Sequence, residues 1–438
     1  MTGREAALKA LAAGRRNGAW SEVFLKNLMR DEGLSVRESH LAYRICMGVL
    51  QNRTLCAYVI DSLSTVPLRK MQPMVADILL LSVYQLLFMD RIPPHAAVSE
   101  GVALCKKYGG TRAAGLVNAV LRRAAEKGKT LLRIPETDVR RSSILYSHPQ
   151  WLVDAYTQRL GSAGCEALLK ASNAPCGTDL QVNTLKTDAA AALAELEMEN
   201  VGARPHPWLP DCLCADDFGD ITELSAFKNG HIYVQDAAAR LAVCAADPKP
   251  GMTVIDGCAA PGGKSFSAAV AMKNEGRILS CDLHEKKLAL IVSGAARLGI
   301  TIIDTLAADG RVPVPELAAS ADVVIADVPC SGLGVIRKKP DIRWKDPQAL
   351  EALPEIQLAI VKNLSAYVRP GGVLVYSTCT VLRRENEDVV RAFLQTAPFD
   401  LQPLSLPGGI AAPEGMLTLW PHVHGTDGFF ICRMRRRA

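Results

Sequence analysis

From residue 251 onward, short apolar segments alternate with helical stretches, in the order MTVID, RILSCD, ITIIDT, DVVIADV and GVLVYS. Such runs of Val, Ile and Leu fit strands buried on both faces, and strands separated by helical lengths pair in parallel. The rhythm predicts a doubly wound α/β domain, whose ligands bind outside the carboxyl ends of the strands. Two cysteines stand at such ends, Cys330 in DVPCSG and Cys379 in VYSTCT. A disulfide or metal pair, two ordinary buried thiols and a catalytic pair are all open readings of them at this point.

The first of these segments runs into DGCAAPGGKS, Asp256 to Ser265. A phosphate-binding loop needs a glycine five positions before the glycine of GK; that place holds Cys258, and Gly257 lies one residue too far. No GxGxxG follows Asp256 either. What remains is a glycine-rich turn and an acid, Asp282, ending the second segment, where a carboxylate accepts hydrogen bonds from ribose hydroxyls. These residues point to a nucleoside-type ligand.

Upstream the pattern changes. Apolar residues recur at helical spacing in EAALKALAA, SHLAYRICMGVL, VADILLLSVYQLL, AAVSEGVALCKKY and AAGLVNAVLRRAAEK, so residues 1–140 read as an all-α bundle. Residues 141–235 mix helix and strand and read as a small α+β linker domain; residues 236–438 carry the doubly wound domain. Charge divides along the same line. Residues 1–150 hold 22 Lys and Arg against 12 Asp and Glu, a net +10, while the remainder sums to −5. A basic N-terminal module suits a polyanion.

Other classes are disfavoured. The most apolar window, residues 75–89, carries Asp77 and Gln85 and is shorter than the roughly 20 residues of a membrane span. The opening MTGREAALKALAAGRR lacks the apolar stretch of an export signal, so a cytoplasmic location is expected. Thirteen scattered cysteines form no disulfide framework, and the close pair Cys212 and Cys214 fits no zinc-ligand spacing, so no metal is expected.

Two stretches of the bundle, LAYRICMGVLQNR and GLVNAVLRR, resemble the bacterial antitermination factor NusB. DGCAAPGGKS, ADVPCSGLGVIRKKPDIRWK, LVYSTCT and GTDGFFICRMRR together resemble the RNA cytosine-5 methyltransferase (NOL/NOP/Sun) family, of the Fmu/Sun type. The resemblance covers the whole chain. It implies a NusB-like RNA-binding bundle, a linker domain and a class I, Rossmann-like methyltransferase domain that uses S-adenosylmethionine. It further implies that the partner is 16S ribosomal RNA, methylated at carbon 5 of one cytosine, position 967; the sequence itself does not give the oligomeric state, and a monomer is favoured. Transfer RNA as substrate, or a non-catalytic NusB-like assembly factor, are the alternatives. Cys258, Ala259, Ala260, Pro261, Gly262, Gly263 and Lys264 are then expected around the methionine end of the cofactor. Asp282 is expected at its ribose, Asp309 by the adenine and Asp327 near the methyl group and target base. Two positions depart from the family pattern: Gln181 stands where arginine is common, and Val328 where alanine is usual.

The chemistry explains why a thiol is needed. Carbon 5 of cytosine is a poor nucleophile until a thiolate adds to carbon 6; afterwards a base must take the carbon 5 proton and the enzyme must be expelled. Spacing does not say which cysteine attacks. The resemblance assigns attack to Cys379 and release to Cys330. In IRKKPDIRW, four cations surround Asp341 and Trp344, which predicts phosphate contacts and base stacking in a loop after Cys330. RMRRRA reads as a basic tail.

Overall fold

The computed structural model describes residues 1–17, 21–216 and 218–438. They fall into two units, Met1–Asn173 with Lys339–Lys345, and Ala174–Lys338 with Asp346–Ala438.

The first unit is helical: α1 (Gly3–Asn17), α2 (Ser21–Asp31), α3 (Val36–Leu63), α4 (Pro73–Phe88), α5 (Pro94–Leu104), α6 (Ala114–Lys127), α7 (Arg141–Leu145) and α8 (Gln150–Ala171). Ser35 caps α3 by accepting from the Glu38 N–H, and α4 and α5 begin on prolines, whose missing N–H has no helical partner there in any case. The most apolar window is α4, with Ile78, Leu79, Leu81 and Val83 fully buried in the core. Its Asp77 is buried too and pairs with Arg15 at 2.9 Å. Among the described residues no helix is long and apolar enough to cross a membrane.

Pro340–Trp344 is a 3-10 turn that belongs to this unit, and it corrects the expectation of a nucleic-acid-facing loop. Arg343 is fully buried, its Nη1 donating to Asn173 Oδ1 at 2.8 Å, Ser147 O at 3.2 Å and Gln51 O at 3.3 Å. Trp344 packs against the helical core and donates from Nε1 to Leu50 O at 2.8 Å. An indole and a guanidinium engaged in this way serve packing.

The second unit opens with β1 (Thr178–Val182), α9 (Ala189–Met198), β2 (Gly202–Pro205), β3 (Cys212–Asp216), α10 (Ser225–Lys228) and β4 (Ile232–Val234). Its antiparallel sheet runs β2-β3-β1-β4, a ferredoxin-like arrangement. Gln181, buried in β1, donates to Gln235 O at 2.9 Å and to the Cys212 sulfur at 3.2 Å, so this departure from the family pattern serves the fold.

The doubly wound part follows: α11 (Ala237–Ala246), β5 (Thr253–Asp256), α12 (Gly263–Ala271), β6 (Arg277–Asp282), α13 (Glu285–Leu298), β7 (Ile303–Ala307), β8 (Ala321–Asp327), α14 (Leu353–Ser365) and β9 (Val368–Thr378). After it come α15 (Glu387–Leu394), β10 (Phe399–Leu401), the hairpin β11 (Leu404–Leu406) and β12 (Ile410–Ala412), β13 (Met416–Leu419), α16 (Pro421–His424) and β14 (Phe429–Arg436). The sheet order is β10-β14-β9-β8-β5-β6-β7, with β13 also on β14. Strands β5 to β9 are parallel and β14 runs antiparallel to β9. Alternate residues enter opposite cores: Val254, Ile325 and Val375 on one face, Ile255, Val324 and Leu374 on the other. Val328 is buried in the second of these cores.

Two sequence expectations shift. Strand β7 starts at Ile303, later than the apolar run ITIIDT suggested. Most of the supposed basic tail is β14, whose Arg433 donates to Ala245 O at 2.9 Å and Arg435 to Gly371 O at 3.1 Å.

Candidate active site

Because β5 to β9 are parallel, their carboxyl ends share one edge of the sheet, and every candidate residue lies there. Cys258 to Gly262 form the turn after β5, Asp282 ends β6, Asp309 follows β7, Asp327 ends β8, and the two cysteines follow β8 and β9.

The turn is tied down by its neighbours: Gly257 N–H donates to Ile325 O at 2.9 Å and Ala259 N–H to Cys281 O at 2.8 Å. Gly262 has φ 111°, where a side chain is strained, and a Cβ there would also meet the Phe266 ring at 2.6 Å. Helix α12 starts immediately after, so its first-turn N–H groups lack intrahelical partners and offer a positive end. Asp282 accepts from Ala260 N–H at 3.2 Å and from His284 N–H at 3.0 Å, one bond per oxygen, leaving acceptor capacity on each. Asp256 is fully buried; Ser265 donates to its Oδ2 at 2.7 Å, while Oδ1 has no partner among the described residues. Burial pushes its pKa up to about 6. Cys258 sits amid the charges of Asp256, Asp327 and Asp282, and burial together with these carboxylates drives its thiol up. Asp309 is engaged differently, in a 2.6 Å ion pair with Arg311 that holds its carboxyl down to about 2.

Lys264 leaves the turn. Its Nζ reaches Asp327 Oδ2 at 2.6 Å and lies 5.3 Å above the Phe429 ring, while Ser377 donates to Asp327 Oδ1 at 2.7 Å. Burial opposes the Lys264 charge, but Asp327 more than offsets it and its pKa stays above the ordinary amine value.

The sulfurs of Cys330 and Cys379 lie 3.2 Å apart, both half-buried, and all thirteen cysteines are free thiols. Their acidities diverge. Cys379 is lowered, chiefly by the hydrogen bond it shares with Cys330, with Lys264 helping and burial and Asp327 opposing. Cys330 is raised, by that same bond, by burial and by the nearby Glu385. The pair is therefore asymmetric, with Cys379 the more acidic thiol of the two.

The sequence read Arg337 and Lys338 as phosphate contacts and missed their partners, Asp236 and Asp427. Arg337, Lys338, Asp236 and Asp427 form a largely buried four-charge cluster: Arg337 Nε meets Asp427 Oδ1 at 2.9 Å, Lys338 meets Asp427 Oδ2 at 2.9 Å, and Lys338 also pairs with Asp236. Gly428, next to Asp427, donates to Gly334 O at 2.9 Å, and Gly334 donates to Cys379 O at 2.9 Å. Ser377 and Gln357 were missed too, as single polar residues in apolar runs, and Glu385 and Asn386 stand in the polar run RRENED, which reads as solvated surface.

Sheet order, glycine turn and the acid on the second strand define a doubly wound, Rossmann-like domain that suits a nucleoside-bearing ligand. Comparisons with known proteins narrow this. A family model described as 16S rRNA methyltransferase RsmB/F matches residues 243–435, one described as NusB family matches residues 1–126, and an RsmF/B-like ferredoxin-like domain matches residues 148–222. The chain is 38% identical to the probable ribosomal RNA small subunit methyltransferase B of Bacillus subtilis, with 99% of each chain covered. It is 33% identical to ribosomal RNA small subunit methyltransferase B of Vibrio cholerae, covering 92% of this chain and 90% of that one. Among solved structures, PH0851 superposes with a TM-score of 0.83 at 27% identity, over 99% of this chain and 98% of that one. NSun6 from Pyrococcus horikoshii, solved with SFG, shares the fold at TM-score 0.61 and 23% identity, over 67% of this chain and all of that one. The chain belongs to the RsmB/F family of 16S rRNA methyltransferases, with its NusB domain.

Proposed function

We propose that this chain methylates carbon 5 of one cytosine of 16S ribosomal RNA, position 967, through a covalent adduct to Cys379. The observation that carries the reading is the thiol pair, 3.2 Å apart at the carboxyl ends of β8 and β9, beside the ion pair of Lys264 and Asp327. S-adenosylmethionine, when bound, supplies an electrophilic methyl group. The residues present fit that cofactor: three carboxylates, Asp256, Asp282 and Asp327, surround Cys258 and suit a ligand bearing sulfonium and ammonium charges. The α12 N-terminus suits its carboxylate, Asp282 its ribose hydroxyls and Asp309 the adenine side.

Cys379 thiolate adds to carbon 6, forming the carbon–sulfur bond and placing electron density on carbon 5. Asp327, fixed by Lys264 and Ser377, holds its charge beside that centre. Water then takes the carbon 5 proton, and Cys330, still a thiol, donates its S–H as a hydrogen bond to the departing sulfur as elimination breaks the carbon–sulfur bond and restores Cys379 as thiolate. The target base must leave its stack to reach a half-buried sulfur.

Bisulfite sequencing of RNA from cells lacking the gene tests the substrate. The expected result is loss of one 5-methylcytosine from 16S RNA, restored by the wild-type gene and not by Cys379→Ala. Loss confined to transfer RNA, or no loss at all, overturns the reading.

A further inference from the structure

Two consecutive residues, Glu385 and Asn386, secure the chain on both sides of both thiols. The Glu385 side chain is fully buried, and its Oε2 accepts from the backbone N–H of Ser331, the residue after Cys330, at 2.8 Å. The same oxygen accepts from Gln357 Nε2 at 2.9 Å, and that amide also donates to the carbonyl of Pro329, the residue before Cys330, at 3.0 Å. Asn386, also fully buried, repeats the pattern on the other loop. Thr378 Oγ1, before Cys379, donates to Asn386 Oδ1 at 2.6 Å, and Asn386 Nδ2 donates to the carbonyl of Thr380, after Cys379, at 3.0 Å. Ser331 Oγ donates to Thr380 Oγ1 at 2.8 Å, joining the two loops, and Tyr376 hydroxyl on β9 donates to Glu385 O at 2.6 Å.

A buried carboxyl group is unfavourable unless it is hydrogen-bonded, and Glu385 takes both its donors, one of them the backbone of a reactive loop, on Oε2, while Oε1 has no partner among the described residues. The amide of Asn386 supplies the one donor and one acceptor that its loop requires. Side chains locked by burial set such geometry far more tightly than the loops alone.

We infer that Glu385 and Asn386 act as one clamp that fixes the separation of the two thiols, Glu385 holding the Cys330 loop and Asn386 the Cys379 loop. This rests on the thiol chemistry proposed above. Both are positioning residues, since the chain beside each sulfur, and not the sulfur, is what they bind. Loosening the Asn386 half impairs attack; loosening the Glu385 half impairs release.

A readout independent of catalysis comes first. Diamide oxidises two adjacent thiols to a disulfide and is itself reduced to the hydrazine, and mass spectrometry of the linked Cys330 and Cys379 peptides gives the rate in the RNA-free chain. Asn386→Ala and Glu385→Ala should cross-link about tenfold more slowly than wild type, a size typical of misplacing reactive groups by a fraction of an ångström. Glu385→Gln, which keeps an acceptor for the Ser331 N–H, should restore the rate. Gln357→Ala carries the test if the Glu385 variants fail to fold. With 16S RNA and S-adenosylmethionine, Glu385→Ala should accumulate a denaturation-resistant complex and Asn386→Ala should form none. Folded clamp variants that cross-link and turn over at wild-type rates overturn the clamp. If Cys330→Ala itself traps no complex, the thiol chemistry is wrong instead, so the two failures are distinct.

Discussion

At Asp256 the fold keeps a carboxyl group where water does not reach it, with one oxygen bonded to Ser265 and the other orphaned. Its pKa rises from 3.8 to about 6, burial being the cause. A carboxyl raised above its unfolded value binds its proton more tightly when folded. The stabilising contribution is therefore complete below about pH 4 and is lost as pH rises through about 6. That shift corresponds to about 3 kcal/mol for this fully buried group. Asp256→Asn should remove the dependence: between about pH 4 and pH 7, wild type loses up to ~3 kcal/mol relative to the variant in urea unfolding of the ligand-free chain. Parallel stability profiles contradict the assignment.

Among the elements, the 3-10 turn Pro340–Trp344 shows what charge counting misses. With the three cations before it, Arg343 read as part of a phosphate-binding loop, yet it is surrounded by carbonyls of its own unit. Arg343→Ala leaves those acceptors without a donor and should destabilise the chain by on the order of 3 kcal/mol, seen as a lower denaturation midpoint. The salt dependence of RNA binding should stay unchanged; a shallower slope would return Arg343 to the RNA surface. The alternation of β5 to β9 was legible because parallel strands buried on both faces need unbroken apolar runs. So was the placement of Cys330 and Cys379, since strand ends are where such folds present side chains. Strand β14 was not legible, because arginines that reach back to carbonyls look the same in sequence as solvated ones. Glu385 and Asn386 were silent for a related reason: their partners are backbone groups 54 and 6 residues away.

For the molecule as a whole, the family membership and the charge division point the same way. The net +10 of residues 1–150 suits a ribosomal RNA partner, and the acidic strand ends of the second unit suit a cationic cofactor. Lys106 and Arg122 are exposed in the helical unit. Replacing both by Glu should weaken RNA binding uniformly across sequences and reduce the salt slope by about 1 for each phosphate left without its cation. Cross-linking of Cys330 to Cys379 should stay at the wild-type rate, and an unchanged slope would remove those cations from the RNA surface. The division of labour between two thiols is the central claim, and trapping measures it most directly. Cys330→Ala is incubated with 16S RNA and S-adenosylmethionine, the mixture is denatured, and the RNA-linked peptide is mapped by mass spectrometry. The expected adduct is on Cys379, absent from Cys379→Ala; an adduct on any other cysteine, or complex formation by Cys379→Ala, contradicts the account.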